Sequence, residues 1–217
     1  MSDRDTVLAA IRANKKALPA DRPKAEPLPV PARGQVEGAK RRDLFIRMAQ
    51  AASASVEVLT SPEEVPEAVA NYLVAQNLPA RLVLASDPAI ANLPWHDYPM
   101  IAHRIGAATV QDHAALTVAF AGIAETGTLA LLSGAETPTT LNFLPEHALV
   151  LVTTDDLCGT YEELWLRLRA ATDNGAYWPR TVNLITGPSR SADIEQQLLL
   201  GAHGPIKLHI LLLDLDA

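Results

Sequence analysis

Short, nearly uninterrupted apolar runs bounded by turn residues recur along this chain, and they leave few folds open. Residues 81–85 (RLVLA), 148–153 (ALVLVT), 181–186 (TVNLIT) and Lys207–Leu213 (KLHILLL) are of strand length. Most of their positions are apolar, which suits strands buried on both faces, as in a parallel sheet covered by helices. Between them the apolar period becomes helical. Leu44, Phe45, Met48, Ala49 and Ala52 share one face, as do Val65, Val69, Tyr72 and Leu73, and again Tyr161, Leu164, Trp165 and Leu168. A shorter strand is expected at residues 56–59. The fold class is therefore α/β, a mostly parallel sheet flanked by helices.

Local signals mark where these elements begin. Ser61, Pro62, Glu63 and Glu64 form a capping box with proline at the first helical position, although Pro66 is discordant in the turn that follows. Thr160 and Glu163 repeat the capping pattern. Residues 116–120 and Thr128–Leu132 bracket Gly122 and Gly127, so a hairpin or strand-turn-strand is expected there. The proline-containing stretch 87–107 reads as mostly irregular, and residues 191–200 as a helix that follows a turn at 187–190.

The first part of the chain has a different character. Val7, Leu8 and Ile11 recur at helical spacing, with acids before them and Lys15 and Lys16 after, in the sense of the helix dipole. Pro19, Pro23, Pro27, Pro29 and Pro31 then forbid helix and stiffen the chain. We divide the sequence into an N-terminal helical arm and proline-rich linker, residues 1–34, and a main domain, residues 35–217. Folding of the main domain is expected to survive removal of the arm up to Pro31.

Composition narrows the functional classes. A formal charge of −7 gives no electrostatic reason to approach phosphate backbones or anionic lipid, so nucleic acid is not an expected partner. The sole cysteine, Cys158, excludes an internal disulfide framework and cannot by itself hold an iron–sulfur cluster, which normally takes four ligands. The start Ser2, Asp3, Arg4, Asp5 does not read as a leader peptide, and no apolar run approaches membrane-spanning length. A cytoplasmic protein without membrane insertion is the expectation.

Two segments could carry chemistry. In the first, Glu125, Thr126, Gly127 and Thr128 place a carboxylate and two hydroxyls at a glycine turn between apolar strands. Such a glutamate could act as nucleophile or general base, or simply accept hydrogen bonds from the turn. The second is Gly187, Pro188, Ser189, Arg190 and Ser191, at the end of an apolar strand where a helix is expected to start. Free amides, hydroxyls and a guanidinium would there receive a phosphate or carboxylate, though Asp193 and Glu195 oppose an anion and Ser191 could be an ordinary N-cap. Because ligands of open α/β sheets gather beyond the carboxyl ends of strands, the two segments are expected to converge on one pocket and to set Arg190 beside Glu125. His203, in a turn before the last strand, is a further candidate to touch a ligand. With His96, His103, His113 and His147 scattered and no HExxH, no metal site is expected. No GxGxxG or Walker A stretch suggests a dinucleotide or nucleoside triphosphate.

Three blocks, residues 122–134 (GIAETGTLALLSG), 141–152 (LNFLPEHALVLV) and 186–214 (TGPSRSADIEQQLLLGAHGPIKLHILLLD), together resemble the LUD domain of the lactate-utilisation protein C family. The resemblance implies a fold related to the ribose-phosphate isomerase, glucosamine-phosphate deaminase and CoA-transferase group. It also implies a part in oxidising L-lactate to pyruvate beside partner proteins that carry iron–sulfur clusters, this chain holding no cofactor. The alternative implied by the fold group is an independent CoA-transferase-like or sugar-phosphate-acting enzyme that uses Glu125.

Overall fold

The computed structural model describes residues 3–13, 29–191, 199–201 and 203–215. In chain order the helices are α1 (Asp3–Ala13), α2 (Gly38–Ala51), α3 (Val65–Ala75), α4 (Pro88–Ala91), α5 (Thr140–Phe143) and α6 (Tyr161–Ala171). The strands are β1 (Ser55–Leu59), β2 (Arg81–Leu84), β3 (Ala102–Ile105), β4 (Ala114–Val118), β5 (Ala121–Ile123), β6 (Thr128–Leu132), β7 (His147–Thr153), β8 (Leu157–Cys158), β9 (Val182–Ile185), β10 (Arg190–Ser191), β11 (Leu199–Leu200) and β12 (Lys207–Leu213). None of the described helices is long and apolar enough to cross a membrane. Helix α1 buries no residue.

A six-stranded sheet in the order β1-β12-β7-β4-β2-β3 forms the centre, with every neighbouring pair parallel. Alternate residues of its strands feed two cores, which is why the runs read as almost wholly apolar. Leu149, Leu151, Leu211 and Leu213 pack with Val65, Val69, Tyr72 and Leu73 of α3. Ala148, Val150, Val152, Ile210 and Leu212 face the other way, onto Leu44, Phe45 and Ala49 of α2 and Leu129 and Leu131 of β6.

That second face is covered in part by a smaller sheet, β8-β5-β6-β9. Here β6 is antiparallel to both β5 and β9, while β5 and β8 run parallel. Its outer side, Ala121, Ile123 and Ala130, packs on Leu164 of α6 and on Cys158. Burial raises the thiol pKa of Cys158. Helix α6 starts with a reciprocal cap: Thr160 Oγ1 accepts from Glu163 N at 3.3 Å, and Glu163 Oε2 accepts from Gly159 N at 2.7 Å.

Three expectations are corrected. The run around 116–120 is not one arm of a hairpin with β6. Strand β4 ends at Val118 in the large sheet, and the chain then changes sheets: Ala119 N donates to Leu151 O and Phe120 N to Ala130 O. The hairpin partner of β6 is β5. Strands buried in either sheet are equally apolar, so their composition does not mark the crossing. The stretch 87–107 holds α4, a 3₁₀ turn at Trp95–Asp97 and the edge strand β3. All four residues of β3 are exposed, so it lacks an apolar run. Finally, no helix begins at Ser191: β10 pairs antiparallel with β11 as the two ends of a ladder. The intervening residues 192–198, with Asp193 and Glu195, lie outside the described residues, as do Lys15, Lys16 and the prolines from Pro19 to Pro27.

Candidate functional site

The smaller sheet sets the site. Its register pairs Ile123 with both Thr128 and Cys158, and Leu129 with Ile185. The turn after β5, the residues after β8 and the residues after β9 therefore leave from the same end. Continuing that register puts Thr128 opposite Thr186, and their Oγ1 atoms are 2.6 Å apart. The expected approach of the two segments is present at this pair.

Both segments are pinned to the carboxyl end of α2 by a glycine. Gly127, at φ +66°, is so close that a Cβ would lie 2.2 Å from Ala49 N. Gly187, at φ +72°, would place one 2.0 Å from Ala52 O. Only glycine combines this backbone with that approach.

Beyond their shared anchor the segments part. Glu125 is 3% exposed. Its Oε1 accepts from Tyr161 N at 3.3 Å, at the start of α6, while Oε2 has no hydrogen-bond partner among the described residues. Gly34 and Gly159 close over it, so tightly that a Cβ on Gly159 would be 2.1 Å from Gly34 O. The neighbouring Thr126 and Thr128 hydroxyls are 2.7 Å apart, and both reach Tyr161 Oη, at 3.2 and 3.0 Å.

The other segment opens onto a cleft of about 270 Å³. Thr186, Gly187, Pro188, Ser189 and Arg190 form one wall, His203, Gly204 and Pro205 another, and Ala148, Val150, Leu131 and Leu208 an apolar floor. Thr186, Arg190 and His203 are exposed. Ser189 holds the walls together: its N–H donates to Pro205 O at 2.8 Å, its carbonyl accepts from Gly201 N at 3.1 Å, and its Oγ accepts from His203 N at 3.3 Å. Arg190 Nη2 donates to Ala52 O at 2.9 Å. Among the described residues no carboxylate pairs with Arg190.

Two details differ from expectation. Glu125 does not line this cleft, and Arg190 does not hydrogen-bond it, because the β5–β6 turn directs the carboxylate toward α6. The cleft also sits over the early residues of β7 and β12, Ala148 and Leu208, and not beyond the carboxyl ends of the parallel strands. The antiparallel sheet produces the convergence. Ser191 lies next to it in β10.

Sequence reasoning missed several members. Asn142, 3% exposed, and Phe143 enter from α5. Asn142 stands out as a polar residue in an apolar block, which is a usable signal. Tyr161 read as a residue of a buried helical face, and nothing local to it announces a hydroxyl contact with two threonines.

A mostly parallel sheet covered on both faces defines an α/β protein, here with a cleft rimmed by a guanidinium, hydroxyls and a histidine. Residues 42–213 match the LUD domain family, and the chain belongs to that family. Over 98 residues it is 37% identical to lactate utilization protein C of Geobacillus thermodenitrificans, a stretch covering 44% of this chain and 41% of that protein. It is 32% identical over 104 residues to lactate utilization protein C of Bacillus subtilis, covering 48% and 43%. The aligned stretch thus spans about two fifths of each relative's length. The crystal structure of a DUF162 family protein from Deinococcus radiodurans shares the fold, with a TM-score of 0.61 at 20% identity over 82% of this chain and 99% of that one.

Proposed function

We propose that this chain is a cluster-free component of a cytoplasmic lactate-utilisation system, and that its cleft binds a small carboxylate or phosphate. The observation that carries the binding role is Arg190. It stands exposed at the rim of an apolar-floored cleft with no carboxylate partner among the described residues. A guanidinium so placed offers paired donors to a carboxylate or phosphate. The names of the relatives supply lactate as the metabolic setting. The single cysteine supports the assignment of iron–sulfur chemistry to partner proteins. A reacting role for Glu125 is less well supported, because its carboxylate is enclosed and turned away from the cleft.

Isothermal titration with L-lactate and with inorganic phosphate tests the site. Arg190→Ala should weaken whichever anion binds by about 1.5–3 kcal/mol, the range for hydrogen bonds to a charged group. Arg190→Lys should restore part of it, keeping charge without the planar fork. Equal binding by wild type and Arg190→Ala would remove the proposal. In cells, clean deletion should impair growth on lactate, and unaltered growth would count against the metabolic role.

A further inference from the structure

We infer that the cleft holds an acid larger than lactate, one that carries an amide-like group beside its anionic end, and that Asn142 is the residue that receives this group. The inference rests on the reading of the cleft as an anion site. Of the polar residues that line the cleft, Thr186, Arg190 and His203 are exposed and Ser189 is half-buried. Asn142 differs from them. It is 3% exposed, and its side chain makes no hydrogen bond among the described residues.

Buried polar groups are almost always partnered, because one left dry loses its hydration with nothing in return. The asparagine amide has a carbonyl oxygen that accepts and an NH2 that donates, so it calls for both. Its surroundings supply neither. The floor of the cleft is Leu131, Ala148, Val150 and Leu208, and Phe143, which follows Asn142 in α5, adds an aromatic wall. The partner of Asn142 therefore comes from what fills the cleft. A carboxamide, which accepts and donates side by side, pairs with both atoms of the asparagine at once, whereas a carboxylate only accepts and a methyl group does neither.

Size points the same way. A water molecule's share of the liquid is about 30 Å³, and a three-carbon acid takes the room of about four of them. The cleft, at about 270 Å³, has more than twice that room. Held by Arg190 at the exposed rim, an acid of that size leaves the rest of the cleft unfilled. A longer one lays its methylenes on the apolar floor and ends on Asn142. An apolar lining with a few polar groups placed at its ends is the usual composition of a small-molecule site.

Titration calorimetry of the full chain with succinamate, glutaramate and L-lactate is the test, each amide acid being paired with the methyl ketone in which CH3 replaces its NH2. At least one amide acid should bind about tenfold more tightly than its methyl ketone, the effect of roughly one hydrogen bond, and more tightly than L-lactate. Asn142→Leu should make amide and ketone bind alike, and Arg190→Ala should weaken both without changing their ratio. Arg190-dependent binding with no amide preference in wild type would overturn the role of Asn142 and leave the anion site standing. An amide preference that survives Asn142→Leu would do the same. The wild-type pairs decide the matter even if Asn142→Leu fails to fold. L-Lactate binding more tightly than either amide acid would overturn the larger ligand. Binding of none of the acids would remove this inference and the anion site together.

Discussion

Two turns leave the same end of the smaller sheet and are held to the same helix by a positive-φ glycine, yet their polar groups serve different ends. Around Glu125 the groups face inward: Glu125 and Thr128 are buried, and the hydroxyls satisfy one another. Around Arg190 they face outward, onto a cleft whose floor is apolar. A glycine with hydroxyls and a charge is thus not enough to mark a binding segment. Burial decides which groups a ligand can reach: Glu125 and Thr128 are enclosed, whereas Arg190 is exposed at the cleft.

The largest expected effect tests the anchoring. Gly127→Ala would drive a Cβ into the backbone of α2, 2.2 Å from Ala49 N and 2.6 Å from its Cα, in a conformation that already disfavours a side chain. A loss of about 3–5 kcal/mol in urea unfolding is expected. Gly187→Ala meets Ala52 O at the very end of the helix, beside an open cleft, and should cost about 2 kcal/mol less while weakening the anion binding proposed for that cleft. Equal losses would show that the two turns are equally constrained.

Acid sets the conditions under which that contrast can be measured. His209, on β12, stacks on Tyr72 at 4.4 Å, and its Nδ1 meets Ser55 Oγ at 2.8 Å. Burial pushes its pKa down to about 4, and lowers that of His147 as well. Folded His209 is therefore neutral where the unfolded chain takes up a proton, at about pH 6.5. Stability should be fully present above that pH and fall by about 3 kcal/mol as pH drops toward 4, with His209→Gln flattening the slope of urea unfolding against pH. Variants of the two turns should leave this slope unaltered, since neither turn contributes a group to the His209 environment described above.

Smaller effects refine the comparison. Glu125→Gln keeps the acceptor that Oε1 offers Tyr161 N and should change stability by no more than about 1 kcal/mol, with the affinity of the proposed anion site within about twofold. A loss of affinity beyond about tenfold in calorimetry would make the buried turn part of the binding machinery and erase the distinction. Arg190→Ala should be the mildest for folding, within about 0.5 kcal/mol in urea unfolding, as expected of an exposed side chain.

The sequence by itself determined the α/β class, the central buried strands β2, β7 and β12 and the start of α6. Residues 181–186, read as a buried strand of the parallel sheet, form instead the half-buried β9 of the antiparallel one. Thr128–Leu132 and Lys207–Leu213 begin and end where their apolar runs do, and Thr160 caps α6, while Ser61 caps a 3₁₀ turn, Pro62–Glu64, that leads into α3. Local periodicity and caps depend on neighbours a few residues away, so they can be read from the chain. It also marked the two glycine turns as close in space. Only the tertiary structure decided that the chain changes sheets at Ala119 and Phe120, that Arg190 and Ser191 start a ladder, and that Tyr161 joins the threonine hydroxyls. An apolar run reports that a strand is buried but not which strand it pairs with, and a hydroxyl's donor direction is fixed only by its neighbours in space. For that reason Glu125 and Arg190 look alike as charged residues in glycine turns, and only the register of β6 against β9 brings Thr186 against Thr128.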